Sequence, residues 1–396
     1  MKRLLVVDDD PQTMSRLRVM LAEISTMWSV EGVATPDDAM ATLKVQAFDV
    51  VLANIHLGGR GGIQLLSDVK VRCPHTVRIA TCAAAHRTVI VRALEVAHQF
   101  LPKPPEAEDL KAVLLRTGLL QDRVMNESVR RLIAEIRTLP SLPSMYQELV
   151  TAMQSPQATV DTAAQIVAKD MAMTAKILQV VNSAYFSLRR TITSPAHAIA
   201  LLGIDTVKSL AFGLELFAQF SRTGLPVSPD QLWKHGMAVG TGARAIALSA
   251  GVGPLAIEGA FIGGLVHDLG VLILAHSFPQ QYADALRMAD ETRIPPWQAE
   301  QTLFGTTHAE VGGYLLGLWG LSDRVVDAAT YHHHPMESPG TGSSVLSAVH
   351  AADVFDEERD PMLPPEQRTR LDMEYLAGCG LAEQATGWRD TTPHAA

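Results

Sequence analysis

Cysteine is scarce in this sequence. Its three cysteines, Cys73, Cys82 and Cys379, form no CxxC pair and no disulfide framework, which fits a reducing compartment. Aromatic residues are also few, at 5%, and charged ones make up only 19% against 47% hydrophobic. That balance excludes a disordered chain, and the wealth of Ala, Leu, Val and Met tilts it toward helix. Excess positive charge is missing too. A formal net charge of −9 argues against a general nucleic-acid binder, whose affinity for phosphate backbones needs a basic surface. No apolar run approaches the roughly 18 to 20 residues needed to span a bilayer, since the longest, at 259–275, is interrupted by His267 and Asp268. The apolar start of MKRLLVVDDDPQ ends after about five residues, too few for a signal peptide. The expected location is therefore cytoplasmic, with no membrane partner.

A chain of 396 residues exceeds one ordinary core, so two or more domains are expected. Over the first 120 residues, short β-branched runs (Leu4–Val7, Ser29–Val33, Val50–Ala53, Val77–Ala80, Gln99–Leu101) alternate with helical patterns such as Met14, Leu17, Leu21 and Ile24. Alternation of this kind predicts a five-stranded parallel sheet covered by helices on both faces, a flavodoxin-like α/β fold. Functional groups in such a sheet gather at the carboxyl ends of the strands. Those ends here read Asp8-Asp9-Asp10, Asn54, Thr81 and Lys103.

The segments LLVVDDDP (4–11), DVVLANIHLGGRGG (49–62), VRIAT (77–81) and FLPKP (100–104) resemble the response-regulator receiver family over residues 1–120. In that family two carboxylates hold Mg²⁺, a third attacks a phosphoryl donor, and a hydroxyl and a lysine bind the transferred group. The resemblance gives the metal-holding roles to Asp8 and Asp9, the hydroxyl role to Thr81 and the lysine role to Lys103. The acceptor position, however, is Asn54, and Gly58 stands where the family usually has proline. A side-chain amide is a poor nucleophile and carries no charge. The resemblance therefore implies a pseudo-receiver with Mg²⁺ weak or absent, in which Lys103 is expected to donate to the Asn54 carbonyl. The acidic rim then serves either as a structural ion-pair network or as a switch for a ligand or partner.

Residues 121–138 are expected to form a linker helix, and Leu139-Pro-Ser-Leu-Pro-Ser144 to open a second domain running to 356. Beyond it no segment reads as a strand. Amphipathic helices are expected at 144–154, 159–169, 171–182, 195–202, 204–219, 230–250, 254–276, 280–290, 296–303, 306–318, 322–333 and 342–356, with caps such as Ser194 before Pro195. The last stretch, 357–396, is expected to be a loosely packed tail.

Six of the fourteen histidines fall in an ordered set, His235, His267, His308 and His332 to His334. Asp268 follows His267, and Asp353 lies in HAADVFD (350–356). Imidazole and carboxylate together suit Zn²⁺, Fe²⁺ or Mn²⁺, and side chains from several helices are how bundle-type metal sites are built. Adjacent helical residues point about 100° apart, so His332 and His333 are not expected to share one ion; one would support the other or serve a second ion. His197, His276 and His350 lie off the pattern and are expected to be structural.

KDMAMTAKILQVVNSAYF (169–186), ITSPAHAIALLGIDTVKSL (192–210), WKHGMAV (233–239), GGLVHDLGVLILA (263–275), HAEVGGYLLGLWGL (308–321) and YHHHP (331–335) resemble the HDOD domain. This all-helical family is a branch of the HD metal-dependent phosphohydrolase superfamily. Carried over residue by residue, the superfamily's metal positions match His235, His267, Asp268, His308, His332 or His333, and Asp353. The resemblance implies a signalling module that binds a protein partner or a nucleotide second messenger, and a homodimer is compatible with it. A metal-dependent phosphohydrolase or cyclic-dinucleotide phosphodiesterase is the alternative. Val271 opposes that alternative, because it replaces the lysine that related cyclic di-GMP hydrolases carry after the His-Asp pair and that would stabilise developing phosphate charge. The Asp-Gly-x-Gly-Tyr-Pro signature expected after the histidines in those hydrolases is also absent.

Overall fold

The computed structural model describes residues 1–22, 26–57, 61–82, 96–123, 132, 143–153, 155, 157–181, 192–220, 224–339 and 344–392. Several expected features lie outside these: Ile24, Gly58 to Arg60, the helix between the fourth and fifth strands, nearly all of the linker, residues 139–142, and Asn182-Ser183. The chain divides into two units, Met1–Leu142 with Gly317–Gly320, and Pro143–Leu316 with Leu321–Ala396.

The first unit carries strands β1 (Lys2–Val7), β2 (Trp28–Val33), β3 (Val50–Asn54), β4 (Val77–Cys82) and β5 (Gln99–Pro102). Helices α1 (Pro11–Met20), α2 (Pro36–Val45), α3 (Gly62–Arg72) and α4 (Ala107–Arg123) alternate with them. All pairings are parallel, in the order β2-β1-β3-β4-β5, which is the doubly wound arrangement expected. The continuous apolar runs follow from this layering, because a central strand buried on both faces has no polar side. Every residue of β3 and β4 is buried. Register then sets the rim: Asn54 lies opposite Thr81, and Val7, immediately before Asp8, lies opposite Ala53.

The second unit is helical. Its main helices are α5 (Ser144–Met153), α6 (Val160–Ala168), α7 (Met171–Val181), α8 (Pro195–Leu202), α9 (Ile204–Ala218), α10 (Pro229–Ser249), α11 (Pro254–Val266), α12 (Leu269–Ser277) and α13 (Pro279–Thr292). They continue with α14 (Pro296–Phe304), α15 (His308–Leu318), α16 (Asp323–Tyr331) and α17 (Ser344–Arg359). Ser194 caps α8 by accepting from the His197 amide at 3.2 Å. The helix expected at 254–276 is broken at His267-Asp268 into α11 and α12; neither residue is a helix breaker, so the polar interruption of the apolar run gave no sign that the helix itself stops there. By length and composition the stretch Pro254–Ser277 could cross a membrane, but 78% of its most apolar window is buried within the protein.

Glycines bring the histidine-bearing helices together. A Cβ on Gly236, next to His235, would come 2.5 Å from the Leu265 carbonyl oxygen, and one on Gly264 would come 2.7 Å from Gly240 Cα. At Gly270 the approach is closer still, 1.9 Å from the His308 carbonyl oxygen. Gly270→Ala thus forces α12 away from α15, since backbone rather than a movable side chain blocks the methyl. The expected cost is about 3 kcal/mol, measured as a shift in the denaturant midpoint.

The C-terminal stretch differs from the loose tail expected. Three short helices, α18 (Met373–Gly378), α19 (Ala382–Ala385) and α20 (Trp388–Thr391), bring Tyr375, Leu376, Ala385 and Trp388 into the same core as Val239, Ala243, Leu346 and Phe355. The charged and Gly/Pro-containing composition concealed it because the apolar residues that make the contact, with Leu371, Cys379 and Leu381 packed beside them, form no continuous apolar run. Trp388→Ala is expected to cost about 3–5 kcal/mol, whereas a loose tail would show no change in the unfolding transition.

Candidate functional site

At the sheet rim, Asp8 is buried and both of its oxygens meet the Lys103 ammonium at 2.8 Å. Asp8 Oδ1 also accepts from the Asp10 amide at 2.9 Å, and Asp10 caps α1. Asn54 is buried as well. Its Oδ1 accepts from the His56 amide at 3.0 Å, and its Nδ2 donates to Asp9 Oδ1 at 3.4 Å. Lys103 therefore turns to the charged Asp8 rather than to the Asn54 carbonyl, contrary to the expectation. A carboxylate outcompetes an amide oxygen for an ammonium, and the amide oxygen is already committed to a turn.

In the helical unit, His235 comes from the second turn of α10, a helix capped by Ser228 and started by Pro229. His267 and Asp268 occupy the break between α11 and α12. His308 is the first residue of α15; Thr307 before it and Glu310 exchange hydrogen bonds as a capping box (3.1 and 3.3 Å), a pattern the sequence Thr-His-Ala-Glu announces. His332 and His333 follow the last turn of α16, and Asp353 is buried in the middle of α17. All seven predicted residues meet. Three overlapping groups place their donor atoms within 4.8 Å of one another: His235, His267 and Asp268; His267, His332 and Asp353; and His308, His332 and His333. The expectation that His332 and His333 diverge is thus corrected. They stand on a turn, with ring centroids 4.0 Å apart, where the helical 100° rule does not apply.

Each of the five rings is held by its Nδ1. His235 donates to Asp356 (2.7 Å), His267 to the Gly264 carbonyl (2.8 Å), His308 to Glu300 (2.8 Å) and His332 to the Ala329 carbonyl (2.9 Å), while His333 Nδ1 meets the Thr369 hydroxyl at 3.0 Å. With Nδ1 protonated, the neutral ring presents a bare lone pair at Nε2. Yet Nε2 of His235 faces Nε2 of His267 at 3.2 Å, and Nε2 of His333 faces Nε2 of His308 at 3.1 Å. Two lone pairs at that distance repel unless a metal ion, or a proton on one ring of each pair, lies between them. The buried atoms His332 Nε2 and Asp353 Oδ2 have no hydrogen-bond partner among the described residues.

The carboxylates complete the arrangement. Asp353 Oδ1 lies 3.2 Å from His235 Nε2 and 3.4 Å from His267 Nε2. Asp268 Oδ1 lies 3.2 Å from His308 Nε2, 3.4 Å from His267 Nε2 and 3.6 Å from His332 Nε2. Donors about 2.1 Å from a shared ion stand at such separations from one another, so these residues fit divalent metal. Asp268 borders both ends of the cluster, 3.7 Å from His235 Nε2 and 3.2 Å from His308 Nε2.

Protons would have to supply the positive charge otherwise. Burial disfavours a charged His235, but hydrogen bonds to Asp353 and Asp356 overcome it and raise its pKa well above the ordinary value. His308 is raised well above likewise, with burial outweighed by the charge of Glu300 and by Asp268. Burial, reinforced by the neighbouring His332 and His308 rings, drives His333 well below. Asp268 and Asp353 are held well below the carboxylate range: burial opposes this, and the charge of His267 outweighs it for Asp268, while hydrogen bonds from His235 and His267 do so for Asp353.

Sequence reasoning missed the outer residues. Asp356 was legible, since Asp353 and Asp356 are three apart and share a helix face. Glu300, which binds both the His308 ring and its backbone amide (2.7 Å) and also accepts from Tyr282 (2.8 Å), sits on another helix and gave no signal. Nor did Thr369. His350 is structural as expected, its Nδ1 donating to the His332 carbonyl at 2.6 Å.

A response regulator receiver domain model matches residues 4–115, and an HDOD domain model matches residues 139–335. Among curated proteins, an uncharacterized protein of Treponema pallidum is 26% identical over 242 residues, which is 61% of this chain and 46% of that protein. Sensory transduction protein LytR of Staphylococcus haemolyticus is 28% identical over 147 residues, 36% of this chain and 54% of LytR. The chain thus spans about half the length of these curated relatives. Among solved structures, an HDOD domain protein from Geobacter sulfurreducens aligns with a TM-score of 0.56 at 25% identity, covering 68% of this chain and 90% of that one. A Shewanella amazonensis protein provisionally assigned as a phosphohydrolase aligns at 0.52 with 20% identity, covering 67% and 93%; at that identity it shows a shared fold alone.

Proposed function

We propose that this chain, which joins a response regulator receiver domain to an HDOD domain, is a signal-transduction regulator whose receiver domain works without phosphorylation while its HDOD domain holds divalent metal. The metal-loaded helical domain is the output, binding a signalling protein partner or a nucleotide second messenger. The receiver half of this reading is supported by Asn54, whose amide cannot form an acyl phosphate and whose oxygen is engaged by the His56 amide. Mg²⁺ binding there is weak or absent, because Lys103 already neutralises Asp8.

The observation that carries the metal reading is the pair of facing Nε2 contacts, His235 with His267 and His308 with His333. His235, His267, Asp268 and Asp353 would hold one ion; His308, His332, His333 and Asp268 would hold the other. Zn²⁺, Fe²⁺ and Mn²⁺ suit this imidazole-carboxylate set.

Phosphohydrolysis is a second reading, favoured by one feature. The cluster is not sealed: the side chains of His235 and Asp268 keep 23% and 18% of their surface exposed to solvent. A bound divalent ion would supply Lewis acidity and an activated water. Asp268 and Asp353 would supply negative charge, while Asp356 and Glu300 hold the His235 and His308 rings in one tautomer. Val271 gives no cation to a leaving phosphate. Incubating the metal-loaded protein with cyclic dinucleotides separates the readings: absence of turnover supports the binding module, and turnover abolished by both His267→Ala and Asp268→Ala supports hydrolysis.

A further inference from the structure

Thr369 lies beyond position 335, where the match to the HDOD model ends, in a segment whose composition suggested a loose tail. It is buried. Its backbone amide donates to Glu357 Oε2 at 2.5 Å, and its hydroxyl lies 3.4 Å from Glu357 Oε1 and 3.0 Å from His333 Nδ1. With Glu357 as a carboxylate, one assignment of protons satisfies all three contacts. Glu357 accepts both the amide and the hydroxyl proton of Thr369, which leaves the hydroxyl oxygen to accept the His333 Nδ1 proton.

The segment around Thr369 is fixed on both sides. Gln367 is buried and donates to the Ala289 carbonyl at 2.8 Å, and the Asp372 amide donates to His350 Nε2 at 2.9 Å. His333 in turn has one face stacked on Trp297, with centroids 5.8 Å apart and planes 27° apart. Stacking fixes the plane of the ring, and the hydroxyl fixes its rotation within that plane. The other four rings of the cluster are oriented by carboxylates or by carbonyls of their own helices. His333 alone among them depends on a hydroxyl delivered by the C-terminal segment.

We infer that Thr369, backed by Glu357, is a positioning residue that fixes His333 in the Nδ1-protonated tautomer and aims its Nε2 at the half of the cluster it shares with His308 and His332. The C-terminal segment is then part of the metal centre rather than an appendage. The inference rests on the metal reading only in its consequence for affinity; the tautomer can be read without any ion.

Thr369→Val keeps the volume and removes the acceptor, and Thr369→Ser keeps the acceptor. Ring ¹⁵N shifts of chelated protein should show His333 as the Nδ1-protonated form in the wild type and the Ser variant, and a mixture of tautomers in the Val variant. Titration with Mn²⁺ should show one of two binding phases weakened about 10–100-fold by Val and restored by Ser, with circular dichroism unchanged. Glu357→Gln should weaken the same phase by a smaller factor. Unchanged His333 shifts in a folded Val variant would overturn the inference. If wild-type protein takes up no Mn²⁺, the metal reading fails, and the ¹⁵N shifts still decide whether Thr369 positions His333.

Discussion

Asn54→Asp is expected to convert the receiver domain from inert to phosphate-accepting: with acetyl phosphate and Mg²⁺, the variant should incorporate phosphate stoichiometrically where the wild type incorporates none. The other requirements are in place at the rim. Asp8 and Asp9 follow β1, Thr81 lies opposite position 54 in register, and Lys103 reaches the rim from the end of β5. What is missing is one oxygen nucleophile and one negative charge. Restoring them supplies a third carboxylate for a hard cation and an atom able to form the acyl phosphate. Mg²⁺ must then compete with Lys103 for Asp8, so incorporation should rise steeply with Mg²⁺ concentration. Phosphate uptake by the wild type, read by intact-mass spectrometry, would refute the claim that this domain works without phosphorylation.

Removing divalent ions is expected to lower the melting temperature of the helical domain by about 10 °C. Ligands that bind only the folded state stabilise it by roughly 3–4 kcal/mol when present at a hundred to a thousand times their dissociation constant, and each kcal/mol is worth about 2–4 °C in a domain of this size. The cluster has the features of such a folded-state ligand site. Its donors come from α10, the α11–α12 break, α15, the turn after α16, and α17, so the unfolded chain has nothing comparable. Asp353→Asn removes one of the buried charges facing His235 and His267 and should erase most of the difference between chelated and metal-loaded protein. A wild-type melting curve that ignores chelator would leave the histidines with a structural role only.

The parallel sheet was legible because its strands are short, β-branched and evenly spaced, and the carboxyl-end rule then put Asp8, Asn54, Thr81 and Lys103 together. The clustered histidines and aspartates were legible as a set because both residue types are rare in apolar helices. Their partners were not. Whether Lys103 chooses Asp8 or Asn54 is a matter of a few ångströms and competing charges, which no motif encodes. The break at His267-Asp268 is invisible to helix propensity, and only the tight Gly270–His308 approach shows why a glycine sits there. Glu300, Glu357 and Thr369 act through long-range contacts on residues whose local sequence is ordinary. The C-terminal helices escaped notice because Trp388 and Leu376 contribute their burial one residue at a time.

Anomalous diffraction from crystals grown with Mn²⁺, collected above the manganese edge, tests the central claim most directly. Two peaks are predicted, one bounded by the Nε2 atoms of His235 and His267 and the other by those of His308 and His333, with Asp268 between them. Ordered histidines with no anomalous density among them would contradict the account.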